Sequence, residues 1–233
     1  MTSKRSSRVV VGIDGTAAGL RAAAYATTEA EQRGAELLLV HAHHLPTIMN
    51  PSLASLDNEQ VRDHGRIALD TAEVGVRYSH PAMQVQTLLV PGRPARAIVD
   101  QSAHADLVVV ARRERKGSHI VGGRISNAVA ARAHCPVVSL NHSWREDHDG
   151  RVVVGVDGSP NGRDALAYAF EYASIHHLRL AVLRSWELPL FLQLGEPASA
   201  EIDEWTEKAK LALAEDLAGW RSEYPDIQVL PHV

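Results

Sequence analysis

The sequence predicts an α/β fold in which buried parallel strands alternate with amphipathic helices, and it predicts that this fold begins twice. Short continuous runs of Val, Leu and Ala stand between longer Ala-rich stretches, which is typical of strands covered by helices on both faces. The nine residues Arg8–Thr16 recur as Arg151–Ser159, with seven identities and the pairs Ile/Val and Thr/Ser elsewhere. This offset of 143 residues indicates two copies of one structural unit.

In the first copy, apolar runs that predict strands alternate with amphipathic stretches that predict helices. The strands are expected at about residues 9–13, 37–42, 84–90, 106–111 and 136–140. The helices are expected at about residues 19–33, 57–78, 94–104 and 125–133. Five strands alternating with four helices indicate a doubly wound, flavodoxin-like open parallel sheet with right-handed crossovers.

The second copy shows the same order of elements as far as its third strand. A helix is expected at about residues 164–176, a strand at 180–185, a second helix at about 200–223 and a third strand at about 227–233. The predicted domains are a complete unit at residues 1–141, a polar linker at 142–150 and an incomplete second unit at 151–233.

Composition and charge exclude several classes of protein. The formal net charge of −4 provides no basic field, so we expect no nucleic-acid binding. No apolar run approaches the ~20 residues that span a bilayer, and no signal peptide is recognised, so we expect a cytoplasmic protein without membrane attachment. The single cysteine, Cys135, is expected to be a buried and inert thiol. The 13 histidines have no Cys or acidic partners at zinc spacing, so no metal site is expected.

Several segments, in this order along the chain, resemble the universal stress protein family. The pattern Val-Val-Gly-hydrophobic-Asp-Gly-Ser/Thr stands at Val10–Thr16 and again at Val153–Ser159. Val90-Pro-Gly92, Asp106-Leu-Val-Val-Val and His134-Cys-Pro-Val-Val complete the resemblance, which covers nearly the whole chain. It implies an adenine nucleotide alpha hydrolase-like sheet of strand order 3-2-1-4-5, in a tandem arrangement whose second copy is incomplete.

The resemblance also implies a site for ATP or a related adenine nucleotide. In nucleotide-binding members an Asp after strand one lies near the base and ribose, and a residue after strand two contacts the base. A glycine loop after strand four then wraps the phosphates, because glycines let backbone N–H groups approach the anion. Asp14 and Ala42 match the first two positions. Asp157 matches Asp14 in the second copy, where it is expected to be structural unless another chain completes the fold.

The phosphate loop departs from the family pattern. Ala111 and Glu114 stand at its first two glycine positions, Gly123 keeps the third, and Arg124 replaces the hydroxyl residue that follows. The carboxylate of Glu114 would repel a polyphosphate, although cationic side chains around the loop could hold phosphate in place of backbone amides. The candidate nucleotide-contacting residues are therefore Asp14, Ala42, Ala111, Arg113, Gly117, Gly122, Gly123, Arg124, Ser126 and Asp157.

The leading interpretation is a non-catalytic stress-response or regulatory protein with a degenerate adenine-nucleotide site in its first domain. One alternative is an ATP-binding member with slow ATPase activity that uses Asp14 and Gly123, although no nucleophile elbow or other catalytic constellation is recognised. Another alternative is an interaction module that dimerises through strand five, Pro136–Leu140.

The implied strand order has a consequence for partners. Strand one is central in order 3-2-1-4-5, but in a copy that stops after strand three it becomes an exposed apolar edge, here Val152–Val156. We therefore expect either a longer tandem protein or a homo-oligomer. The homo-oligomer would be a dimer through strand five or an assembly in which another chain completes the second domain; any further protein partner is not identified by the sequence.

Overall fold

The computed structural model describes residues 7–43, 51–112, 124–141, 144, 150–185 and 199–233. The chain divides into two compact units, Met1–Trp144 and Arg145–Val233. Each unit is built around its own parallel sheet. Among the residues described, no helix is both long and apolar enough to cross a bilayer.

The first unit contains a five-stranded parallel sheet of order β3-β2-β1-β4-β5, which confirms the predicted strand order. Its strands are β1 (Arg8–Gly12), β2 (Glu36–His43), β3 (Val85–Pro91), β4 (Leu107–Ala111) and β5 (Val137–Leu140). Its helices are α1 (Ala17–Arg33), α2 (Pro51–Ser79), α3 (Pro94–Ser102) and α4 (Arg124–Ala130). The expected alternation of strands and helices is therefore present, with boundaries displaced by a few residues.

The largest displacements occur where helices begin. Helix α2 begins at Pro51, six residues before the predicted start, because proline suits the first turn of a helix. Helix α1 begins at Ala17 because Thr16 caps it: the Thr16 Oγ1 accepts a hydrogen bond from the Gly19 N–H at 3.3 Å.

Both faces of the first sheet are covered. On one face, buried apolar residues of β1, β2 and β4 pack against Ile98 of α3 and Val129 of α4. The alternating residues of β1 and β2, Val9, Val11, Leu37 and Leu39, are also fully or almost fully buried. A strand buried on both faces has an unbroken run of apolar residues in its sequence. For this reason the predicted strand boundaries lie close to those in the structure.

The second unit contains a three-stranded parallel sheet of order β6-β7-β8. Its strands are β6 (Arg151–Val156), β7 (Arg179–Arg184) and β8 (Val229–His232), and its helices are α5 (Pro160–Ile175) and α6 (Ser199–Glu223). Ser159 caps α5 by accepting a hydrogen bond from the Gly162 N–H at 3.0 Å, so the helix begins four residues before the expected start.

Both helices of the second unit pack on the same face of its sheet. Phe170 of α5 and Leu213 and Leu217 of α6 join a buried cluster with residues of β6 and β7. Phe170 also stacks on Trp220, with ring centroids 5.5 Å apart. The aromatic pair therefore closes the core between the two helices.

The opposite face of the second sheet is largely open in the described residues. Val153 of β6 is 56% exposed, whereas Val10, which stands 143 residues earlier, is 0% exposed. Leu183 of β7 is 45% exposed, and its counterpart Val40 is 2% exposed. As expected from the sequence, β6 lies at an edge of its sheet, whereas β1 is central.

Candidate functional site

Three of the predicted site residues lie at the carboxyl ends of adjacent strands in the first sheet. Asp14 follows β1 by two residues, Ala42 is the second-last residue of β2, and Ala111 is the last residue of β4. Because β1 lies between β2 and β4, these ends surround the point where the chain connections leave to opposite sides. Open α/β sheets bind ligands at such switch points.

Asp14 is positioned by the turn that starts α1. Its Oδ1 accepts hydrogen bonds from the Thr16 N–H at 3.0 Å and from the Thr16 hydroxyl at 2.6 Å. Gly15 between them adopts a φ of 75°, in the left-handed region that favours glycine. The carboxylate is half-buried and is held in place just beyond the carboxyl end of β1, the central strand.

Gly19 belongs to this arrangement and was missed by the sequence prediction. A Cβ added at Gly19 would lie 2.6 Å from the Asp14 Oδ1, so the carboxylate occupies the space that any other residue would need. The repeat contained the signal, because Gly162 stands 143 residues later and a Cβ there would lie 2.6 Å from the Asp157 Oδ1.

His41 connects the ends of β1 and β2. Its Nδ1 donates a hydrogen bond to the Ile13 carbonyl oxygen at 2.9 Å. Gly65 of α2 packs against the same ring, since a Cβ at this glycine would lie 2.7 Å from the His41 Cδ2 and from a Leu89 methyl carbon. Helix α2 therefore lies close to the sheet immediately beside Asp14 and supports the edge of the candidate site.

The predicted phosphate loop is described only at its two ends. Arg113, Glu114, Gly117, Gly122 and Gly123 lie outside the described residues. Before the loop, the Arg112 N–H donates to the Leu140 carbonyl at 2.8 Å and continues the pairing of β4 with β5. After it, Arg124 is exposed at the start of α4, while Ser126 is 2% exposed. Contact of any of these residues with a phosphate stays a prediction.

In the second unit, the turn is repeated in different surroundings. Asp157 Oδ1 accepts a hydrogen bond from the Ser159 N–H at 2.9 Å, and hydrogen bonds from Ser159 lower the pKa of the exposed carboxyl, with a smaller contribution from the charge of Arg184. Arg184 stands where the first unit has His41, and it pairs with Asp216 at 2.6 Å. These contacts fit the expected structural role of Asp157 at the strand-to-helix turn.

The described residues contain no group of three or more His, Cys, Asp or Glu side chains that could hold a metal ion. Cys135 is half-buried, and its pKa is raised to about 11 by burial and then by the charge of Asp106. The thiol is therefore protonated at neutral pH, which disfavours a nucleophilic role.

Comparison with known proteins connects this geometry to one family. The model of the family described as universal stress protein family matches residues 6–140 and 150–230. The universal stress protein Rv2623 of Mycobacterium tuberculosis is 31% identical over 252 aligned residues, which cover 98% of this chain and 80% of that protein.

Solved structures agree on the fold. A crystal structure of a universal stress protein from Archaeoglobus fulgidus matches with a TM-score of 0.68 and 17% identity, over 98% of this chain and 78% of that chain. The universal stress protein UspA from Lactobacillus plantarum matches with a TM-score of 0.51 and 22% identity, over 59% of this chain and 99% of its own.

Proposed function

The chain belongs to the universal stress protein family, and from this premise we propose that it is a non-catalytic, cytoplasmic regulatory protein whose first unit binds an adenine nucleotide mainly through base and ribose. The observation that carries the proposal is the position of Asp14. A carboxylate held by Thr16 and Gly19 at the switch point of the sheet is a pre-oriented acceptor for a ribose hydroxyl or an adenine amino group.

The carboxyl end of β2, next to Asp14, offers a surface on which a flat group such as a purine could pack. Ala42 is half-buried and pairs in register with Val90 of β3, so its short side chain leaves the backbone of β2 accessible near the edge. The Gly92 N–H donates to the His43 carbonyl at 2.9 Å and extends the pairing of β2 and β3 by one step. A purine that contacts the edge here would meet a rigid strand end.

The part of the site that would bind the phosphates is expected to have a lower affinity than the glycine loop of the family pattern. Ala111 and Glu114 replace glycines that the family resemblance assigns to phosphate binding, and Arg124 replaces a hydroxyl residue. Each added phosphate gains attraction from the arginines but meets the repulsion of Glu114. We therefore expect AMP to bind about as tightly as ATP, in contrast to a site whose glycine loop wraps the phosphates.

The non-catalytic part of the proposal is supported by the surroundings of two Ser–His contacts in the described residues. Ser79 Oγ lies 2.9 Å from the Nδ1 of its chain neighbour His80, but this hydroxyl donates to the Gly75 carbonyl at 3.1 Å, within its own helix. Ser102 Oγ lies 3.3 Å from His134 Nδ1, but the hydroxyl donates to the Val99 carbonyl at 2.6 Å and accepts from the His134 N–H at 3.0 Å. Ser102 is 1% exposed, so this pair ties α3 to the segment before β5 and has no access to substrate.

Isothermal titration of AMP and of Mg-ATP into the full chain tests the proposal. Asp14→Ala should abolish binding of both nucleotides, because it removes the carboxylate at the switch point. Asp157→Ala is the matched control, since it removes the equivalent carboxylate of the second unit and should leave binding unchanged. If neither AMP nor ATP binds at millimolar concentration, the proposed nucleotide site is refuted. Measurable release of phosphate from ATP would contradict the proposal that the protein is non-catalytic.

A second candidate function is self-association through β5. Within the described residues β5 pairs only with β4, so its outer edge is unpaired, and Ser139 on it is exposed. An unpaired strand is a template for pairing with another chain. Light scattering should show a dimer that Ser139→Lys weakens, because a lysine on an edge strand opposes pairing; an unchanged mass would exclude this edge as the interface.

A further inference from the structure

A cavity of about 320 Å³ lies in the first unit beside the candidate nucleotide site, with helix α2 on one side and the carboxyl ends of β2 and β3 on the other. Its lining, among the described residues, is formed by His43, Arg62, Leu89 and Pro91. His43 pairs in register with Pro91, two residues after His41 pairs with Leu89. Because side chains alternate along a strand, these residues share the α2 face, whereas Ala42 points to the other face.

His43, which lines the cavity, carries a buried polar atom without a partner in the described part of the chain. His43 is 9% exposed, and its Nδ1 is buried without a hydrogen-bond partner among the residues that the structure describes. Burial, and then the charges of Arg62 and His41, lower the pKa of the His43 imidazole. A buried donor or acceptor left unpaired destabilises a fold, so such an atom beside an open volume indicates a missing polar partner.

The other lining groups restrict what that partner can be. Arg62, an exposed residue of α2, brings a guanidinium group, whose planar fork matches a carboxylate. Leu89 and Pro91 contribute apolar surface, and none of the four lining residues that the structure describes carries a negative charge. A volume of 320 Å³ corresponds to about ten water molecules, which is larger than a bare ion and near the lower limit for small-molecule pockets.

We propose that this cavity is a second ligand site, which binds a compact organic carboxylate. The carboxylate pairs with the guanidinium of Arg62 and accepts a hydrogen bond from the Nδ1–H of His43, and its apolar body packs on Leu89 and Pro91. The inference goes beyond the proposed nucleotide site, because Asp14 contributes nothing to it.

The charges around His43 determine how the affinity for a carboxylate should change with pH. Arg62 of α2 and His41 of β2 are the titratable neighbours that act on His43, while β3 presents Leu89 and Pro91 to the cavity. A bound anion favours the protonated imidazole, so it counteracts the lowered pKa of His43. Carboxylate affinity is therefore expected to rise as the pH falls from neutral through the lowered pKa of His43.

Nuclear magnetic resonance of the full chain, titrated with benzoate, tests the site. The probe should cause saturable shifts of the Leu89 methyl groups and of the His43 ring signals. Arg62→Gln should weaken binding about tenfold, the effect expected for one charge-assisted contact. Arg66→Gln, one turn further along α2 and with a side chain that is 62% exposed, is the matched control and should leave the affinity unchanged.

Three outcomes would overturn the proposal: no saturable shift at these residues, equal weakening by Arg62→Gln and Arg66→Gln, or saturable binding of phenyl phosphate without binding of benzoate. The last outcome would assign the cavity to a phosphate compound. Asp14→Ala separates this site from the nucleotide site, since benzoate binding should survive a substitution that abolishes nucleotide binding.

Discussion

The carboxylate of Asp14 fills the space beside Gly19: a Cβ on that glycine would lie 2.6 Å from the Asp14 Oδ1. The same contact recurs in the second unit between Asp157 and Gly162, also at 2.6 Å. The spacing of Asp and Gly in the repeat is therefore a steric requirement of the strand-to-helix turn, in addition to any role in ligand binding.

Gly19→Ala should destabilise the first unit, although alanine favours a helix by about 1 kcal/mol over glycine. The added methyl group must displace the Asp14 carboxylate and break its hydrogen bonds to Thr16, so we expect a net loss of about 1–2 kcal/mol. Gly75→Ala is the control, because a Cβ at that exposed position of α2 meets nothing within 4 Å and should stabilise the protein. Urea unfolding measures both; stabilisation by Gly19→Ala would refute the steric requirement.

Val→Thr at equivalent positions of the two copies should have different effects. Val10→Thr places a hydroxyl where the native side chain is 0% exposed, at a cost of about 2 kcal/mol. Val153→Thr changes a side chain that is 56% exposed, and the expected change is within about 0.5 kcal/mol. Chemical denaturation compares the two variants, and a loss at Val153 as large as that at Val10 would mean that the open sheet face is covered in solution.

Cys135 should react slowly with alkylating reagents. With a pKa of about 11, roughly one thiol in a thousand is ionised at pH 8, against about one in ten for an unperturbed cysteine. Iodoacetamide labelling followed by mass spectrometry should therefore be about a hundredfold slower in the native chain than in urea, and it should accelerate with rising pH up to about 11. A native rate equal to that of the unfolded chain would show that neither burial nor Asp106 protects the thiol.

His43 should make the protein less stable as the pH falls. The pKa of the buried imidazole is lowered below the ordinary value of 6.5, so the unfolded chain takes up the proton first. The stability that the neutral imidazole contributes is present above about pH 6.5 and is lost as the pH falls through its lowered pKa. His43→Leu should show a smaller loss of unfolding free energy between pH 7 and pH 5; an identical pH dependence would assign the effect to other histidines.

Much of the fold could be predicted because parallel strands buried on both faces leave an unbroken apolar signal, as in residues 37–40 and 107–110. Helix starts were predicted less well, because the cap formed by Thr16 depends on one hydroxyl and outweighs the apolar pattern that follows. For the candidate site, the repeat and the resemblance pointed to Asp14 and Ala42, and the structure gives their positions at the ends of β1 and β2. Their contact with a ligand stays a prediction.

The cavity at His43 could not be predicted from spacing along the chain. It requires the pairing of β2 with β3, which brings His43 beside Pro91, and the close approach of α2 at Gly65, which sets Arg62 above them. These contacts join residues far apart in the sequence. Among the 13 histidines, nothing in the sequence alone distinguishes His43 from His44.

The near identity of β1 and β6 also bears on how the chain reaches its native state. Residues 8–12 and 151–155 are the same five amino acids, yet one strand is central and the other is an edge. We expect both segments to compete for pairing with β2 and β4 during refolding from denaturant. Ribosomal synthesis at roughly 5–20 residues per second should remove this competition, because β1 and its partners emerge seconds before β6. The order of translation would then decide a pairing that the local sequence leaves degenerate.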